Sequence, residues 1–175
     1  DIERTGDIRS YKKDLVDLYV NRDQHSFSTQ VTDLDNIQNP SIHSLLSSKY
    51  HEAQMYRLNI HAEIPDPVTH NYLTDLDLAV VLGHLMDNAI DGARKASEGF
   101  ISLAYFDEED CQSFIIESTI ADEQVPLSMM STQTPHPGGG IGVNAVQDIL
   151  ERYPNTSFSV RSQNHKMMQI LEMRP

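Results

Sequence analysis

Cysteine is almost missing from this chain. Cys111 is the single one among 175 residues, so an internal disulfide framework is excluded and a reducing compartment is the natural setting. Its position reads as a small residue beginning a strand. Positive charge is scarce as well: 13 Lys and Arg stand against 26 Asp and Glu, and the formal net charge is −13. An acidic field of that size argues against nucleic acid and against an anionic membrane surface as partners. A nucleotide polyphosphate is anionic too, and binding one requires local help from Mg²⁺, backbone N–H groups and a few basic side chains. Long hydrophobic runs are also lacking. The longest nearly apolar stretch, Leu78–Met86, is interrupted by Gly83 and His84 and is too short to span a bilayer. The eight histidines show no zinc-type spacing beside the cysteine, and no signal peptide is evident. The chain starts without Met inside a helical pattern. The expectation is an excised cytoplasmic fragment whose membrane helices, if any, lie upstream.

What is present fits a soluble globular chain: 39% hydrophobic and 22% charged residues. The length suits one domain, or one domain with a helical appendage. Helical patterns are expected at about Glu3–Asp23 and Phe27–Ile37, too thinly apolar to stand without a partner surface. Asn39-Pro40 then caps a helix over Ser41–Tyr56. Alternation over Arg57–Ile64 predicts a half-buried strand ended by Pro65 and Pro67. A long amphipathic helix follows at Thr74–Lys95, closed by Gly99. Phe100–Phe106 and Gln112–Ser118 predict an antiparallel hairpin around the acidic turn Asp107–Asp110. Residues 119–140 have no period and contain Pro126, Pro135, Pro137 and three consecutive glycines, the pattern of a lid, a binding loop or disorder. A helix over Ile141–Tyr153 and two strands, Ser157–Arg161 and Met167–Met173, complete the chain. Strands arranged as hairpins, with helices to cover one face, predict an α+β two-layer sandwich preceded by a helical hairpin. The expected domains are 1–38 and 39–175.

The Thr74–Lys95 helix carries the first chemical signal. Thr74 is a good N-cap, and Asp77 three residues on completes a weak capping box. Leu78, Val81, Leu82, Leu85, Ala89 and Ala93 recur at helical spacing and form its buried face. His84, Asn88, Asp91 and Lys95 form a stripe on another face. Amide and carboxylate oxygens there suit a hydrated cation, and a lysine suits phosphate. The competing reading is a solvated helix face with an Asp91–Lys95 pair. The second signal is Gly138-Gly139-Gly140-Ile141-Gly142-Val143-Asn144 at a helix start, where backbone N–H groups and the helix dipole favour phosphate. A flexible hinge explains the glycines equally well. Neither a Walker loop nor a Rossmann turn is present.

With these residues in view, the chain resembles the ATP-binding domain of sensor histidine kinases, the GHKL (Bergerat-fold) ATPases. More narrowly it is similar to the Agr-type, peptide-pheromone quorum-sensing kinases. Leu82–Asp91 (LGHLMDNAID) resembles the N box, Phe114–Thr119 the strand of the first glycine box, and Gly140-Ile141-Gly142-Val143 the second. Asn39-Pro40 through Lys49-Tyr50-His51-Glu52-Ala53 resembles the segment leading into the catalytic domain.

The resemblance implies ATP and Mg²⁺ as cofactors, with Asn88 chelating the metal. It puts His84, Asn88, Asp91, Lys95, Ser118, Gly140, Gly142 and Val143 around the nucleotide. Lys95 or Arg94 would reach phosphate, and Met129-Met130 would lie in the lid. It also implies a homodimer through the N-terminal helices, a response regulator as partner, and membrane attachment through a sensor region outside this chain.

Four positions depart from the pattern. Gly6, before Asp7, stands where the phospho-accepting histidine belongs, and Ser10 where an Asn follows four residues later. His84 replaces the first Asn of the N box. Ser118 replaces the Asn or Asp that meets the adenine amino group. Asp87 is the nearest candidate for a base. The alternatives are a degenerate, non-catalytic dimerisation or scaffold module of the same fold, or another GHKL ATPase such as an anti-sigma-factor kinase. Asp7 and Tyr11 in the helical preface argue against the last.

Overall fold

The structure, a computed structural model, describes residues 33–123 and 142–175, with only the backbone of 142–144. These residues belong to a compact unit spanning Val31–Pro175. The unit therefore begins before the expected start at 39. The expected hairpin helices fall almost wholly outside the described residues. The described part of the second is not α-helical: Asp33–Asn36 is a 3₁₀ turn, and Ile37 bridges to Val68. Asn36 Nδ2 donates to Ile64 O, and Gln38 N and Val68 N exchange bonds with Val68 O and Asn36 O. This segment lies against the sheet rather than continuing a helix.

Helix α1 spans Pro40–Met55. Asn39 caps it as expected, its side chain accepting from Ser41 N at 2.9 Å and Ile42 N at 3.2 Å. At the other end Arg57 takes a left-handed φ of 59°. Arg57 N bonds Gln54 O and Leu58 N bonds Ala53 O, a Schellman ending with arginine in the place glycine usually holds. Strand β1 is Asn59–Glu63 and helix α2 is Asp75–Lys95. Strands β2 (Phe100–Glu108) and β3 (Cys111–Thr119) form the expected hairpin, running further into the acidic turn than predicted, with Cys111 buried at the start of β3. Helix α3 spans Gly142–Leu150, ending before the expected Tyr153. Strands β4 (Thr156–Gln163) and β5 (Lys166–Met173) close the chain. Asn164 and His165, at φ 52° and 58°, make the two-residue turn between them.

The five strands lie in the order β1-β2-β3-β5-β4. β1 and β2 are parallel and joined through α2, which corrects the expectation that every strand belongs to a hairpin. The other pairs are antiparallel. One sheet face presents Ile60, Ala62, Ile101, Leu103, Tyr105, Phe114, Ile116 and Leu171 to the helices, which contribute Ile42, Leu46, Leu78, Leu82, Leu85, Met86 and Ile90. Helices on one face of a mixed sheet make the α+β two-layer sandwich expected from the sequence. Among the described residues, no helix is long and apolar enough to cross a membrane.

Candidate functional site

Helix α2 positions the site. Thr74 Oγ1 accepts from Asp77 N at 3.2 Å, and Asp75 and Asp77 in the first turn with Arg94 and Lys95 in the last complement the helix dipole. Every residue of the predicted buried face is buried, joined by Met86 and Ile90. The capping box, however, is not completed by Asp77. Its carboxylate turns to the end of α3, where Arg152 Nη2 donates at 2.8 Å and the Tyr153 hydroxyl at 2.6 Å. Thr74 N–H donates to that same hydroxyl at 3.3 Å, so Tyr153 stands in for the missing arm of the box. Hydrogen bonds from Tyr153, then Thr74 and Arg152, hold the Asp77 carboxyl below the usual carboxylate range against the opposing effect of its desolvation.

Along the polar stripe His84 is half-buried, and Asn88, Asp91 and Lys95 are exposed. Asn88 Nδ2 donates to Gln169 Oε1 of β5 at 3.3 Å. Gln169 is buried, and its Nε2 donates to Leu85 O at 3.0 Å. The expected Asp91–Lys95 pair does not form. Asp91 meets Arg94 Nη1 at 3.9 Å instead, while the Arg94 guanidinium lies 3.9 Å from the centre of the Tyr56 ring. Those contacts occupy Arg94, and Lys95 has no ion pair among the described residues.

Asp87, the candidate base, is engaged on the side facing α1. Lys49 Nζ lies 2.5 Å from its Oδ1 and 2.9 Å from Glu52 Oε2. Partial burial acts to lower the Lys49 pKa, but the bonds to Asp87 and Glu52 outweigh it and the net direction is upward.

Ser118 lies near the end of β3, facing α2. Its hydroxyl is wholly buried and has no hydrogen-bond partner, the one such side-chain atom among the described residues. Leaving a buried hydroxyl unpaired costs about 1–3 kcal/mol. A Cβ added at Gly92 of α2 would come 3.8 Å from this oxygen, 3.4 Å from Thr119 O and 3.0 Å from Ile120 Cγ2. Gly92 thus lets the helix close onto the strand end, and Ile120 already fills the space a side chain there would take. Next along β3, Thr119 Oγ1 donates to Glu98 O at 2.8 Å and accepts from Phe100 N at 3.0 Å. On the opposite sheet face Lys166 Nζ reaches the buried Glu117 at 3.1 Å.

The structure brings Asn88 onto an exposed helix edge beside β5, and Ser118 beneath the same helix near its C-terminal part. Gly140 lies outside the described residues. Gly142 opens α3, and the side chain of Val143 is not described. Sequence reasoning missed Gln169, Lys49 and the Arg152–Tyr153 pair. Gln169 had a signal: it is the polar residue at an inward strand position otherwise held by Leu171 and Met173. The others had none, since only the fold brings them to their partners.

An oxygen-seeking cation fits this donor set in part. No group of three or more His, Cys, Asp or Glu side chains able to hold a metal occurs among the described residues. A Mg²⁺ here would take few protein ligands and complete its shell with phosphate oxygens and water, which is how that ion commonly binds with nucleotides.

A comparison with curated proteins finds no match. Solved structures do match. The catalytic domain of histidine kinase ThkA is similar with a TM-score of 0.64 at 15% identity, covering 78% of this chain and 91% of that one. Acinetobacter baumannii histidine kinase AdeS gives 0.58 at 16%, covering 77% and 62%. The mycobacterial sensor histidine kinase MprB gives 0.56 at 11%, covering 75% and 93%. At such identities the likeness establishes the fold. A family profile described as the GHKL domain matches residues 73–174, more than half of the sequence. It takes in all of α2, the β2–β3 hairpin, α3 and the last two strands, so this chain belongs to the GHKL domain family.

Proposed function

We propose that the compact unit from Val31 to Pro175 is the ATP-binding catalytic domain of a sensor histidine kinase, with the residues before it as its dimerisation and phosphotransfer-type hairpin. The observation that carries the reading is the unpartnered Ser118 hydroxyl beneath α2. A buried hydrogen-bonding group with nothing to bond is tolerated where a ligand completes it. Its place in the Glu117-Ser118-Thr119 strand is where the family resemblance puts the adenine contact. Asn88 offers the Mg²⁺ oxygen, Asp91 stands one turn on, and Lys95 is the cation left for phosphate. His84 flanks the site, and the family resemblance assigns Gly140, Gly142 and Val143 to the glycine box at the nucleotide. The bound ATP–Mg²⁺ supplies the transferable phosphoryl group and neutralises its charge. The chain's own residues bind and orient it, since phosphoryl transfer depends mainly on positioning and electrostatics.

In the quorum-sensing subfamily the chain resembles, the phosphoryl group passes to a histidine of the hairpin and on to a response regulator, in a homodimer attached to the cytoplasmic side of a membrane. Gly6 at the acceptor position means that this chain does not autophosphorylate there. The engagement of Asp87 by Lys49 favours a second reading, a non-catalytic GHKL module that dimerises and acts as a scaffold.

Calorimetry with ATP, with and without Mg²⁺, separates the two. Mg²⁺-dependent binding that is lost in Asn88→Ala is the expected result, and Gly6→His then tests whether phosphorylation is restored. No binding at about millimolar ATP, a free energy of about −4 kcal/mol, gives the scaffold reading the lead.

A further inference from the structure

We propose that Gln169 is a positioning residue that fixes which end of the Asn88 amide faces the metal. The inference rests on the reading of Asn88 as the Mg²⁺ ligand. An asparagine amide has an oxygen that can ligate a cation and an NH₂ that cannot, and a half-turn exchanges them. On an exposed helix edge the two orientations differ little unless something selects one. Gln169 makes that selection through a fixed polarity. The Leu85 carbonyl can only accept, so the Gln169 end facing it, at 3.0 Å, must be Nε2. Its Oε1 is then turned to Asn88, at 3.3 Å, and can only accept. Asn88 must answer with Nδ2, which leaves Oδ1 free on the outer side. The helix backbone thereby dictates the side-chain orientation one turn further along, by way of a glutamine on the sheet.

Packing does not require a glutamine here. The residue is 1% exposed and faces Leu85 of α2 from an otherwise apolar strand face. A leucine or methionine would fill the space without two polar ends to satisfy. The polar choice is explained if both ends are used.

The test compares ADP binding with Mg²⁺ and with EDTA in wild type, Gln169→Met, Asn88→Ala and the double variant. Gln169→Met keeps the length and loses the polarity. The expected result is Mg²⁺-dependent binding weakened about fivefold, the worth of one ordinary hydrogen bond, with metal-free binding essentially unchanged. The double variant should be no weaker than Asn88→Ala alone. A role confined to packing would weaken both binding modes together and would add to Asn88→Ala. If Asn88→Ala abolishes the metal dependence and Gln169→Met leaves it intact, the positioning role is overturned and the proposed site stands. If Asn88→Ala leaves the metal dependence intact, the site reading fails, and the positioning role fails with it. A measurement on wild type needs no variant to fold: solvent exchange of the Asn88 side-chain NH₂ by NMR. Slow exchange supports the bond to Gln169, and exchange as fast as a free amide overturns it.

Discussion

Gly99 has no room for a side chain. The sequence suggests a helix-closing glycine, but α2 ends at Lys95 with Ala96 as its cap, and Gly99 sits at the entrance to β2. A Cβ there would run into Leu58 Cδ2 and lie 3.0 Å from the Ala93 carbonyl oxygen. Its own carbonyl accepts from Asn59 N at 2.9 Å, so the backbone cannot simply retreat. Gly99→Ala should destabilise the fold by about 1–3 kcal/mol, the usual cost of overpacking, read as a lower urea midpoint. Asp77 gives a second prediction at this scale. Its folded pKa lies below the ordinary value of 3.8, so its contribution is complete above that pH and is lost as pH falls through the depressed value. Asp77→Asn should therefore be less stable than wild type near neutrality, and the gap should shrink in acid, as seen in urea midpoints measured across the acid range. A gap that stays constant across the whole acid range would mean that shape rather than charge holds the pair.

Helix starts and strand alternation were legible because their causes are local. Asn39 and Thr74 cap the helices the sequence gives them, and the apolar spacing of α2 buries the side chains it marks. Asn39→Ala should cost about 1 kcal/mol in thermal or urea unfolding, since two N–H groups lose their acceptor. What could not be read was set by residues far apart in the chain. Asn88 and Gln169 are separated by 81 positions, and Asp77 and Tyr153 by 76. Nor does alternation carry strand direction: Arg57–Ile64 reads as a strand, but its parallel pairing with β2 follows only once α2 carries the chain across the sheet. The segment before Pro40 shows the limit of a weak pattern. Val31, Leu34 and Ile37 have helical spacing, but Ile37 is drawn into a bridge with Val68.

For the whole molecule the excess of acid sets the terms on which a nucleotide approaches. With a formal net charge of −13, the chain repels ATP that carries no metal. Added salt should therefore leave metal-free ATP binding unchanged or tighten it, unlike a basic nucleotide-binding site, where salt weakens binding. Calorimetry at low and high ionic strength checks this, and marked weakening would show that local cations dominate the field. The contact between Asp77 and the end of α3 has a further consequence, in time. It closes a span of 76 residues and gains little until the sheet between its ends is built. Such a contact belongs late in folding. Tyr153→Phe should speed unfolding while leaving the refolding rate nearly unchanged, and stopped-flow mixing in urea would show the change on one arm of the chevron only.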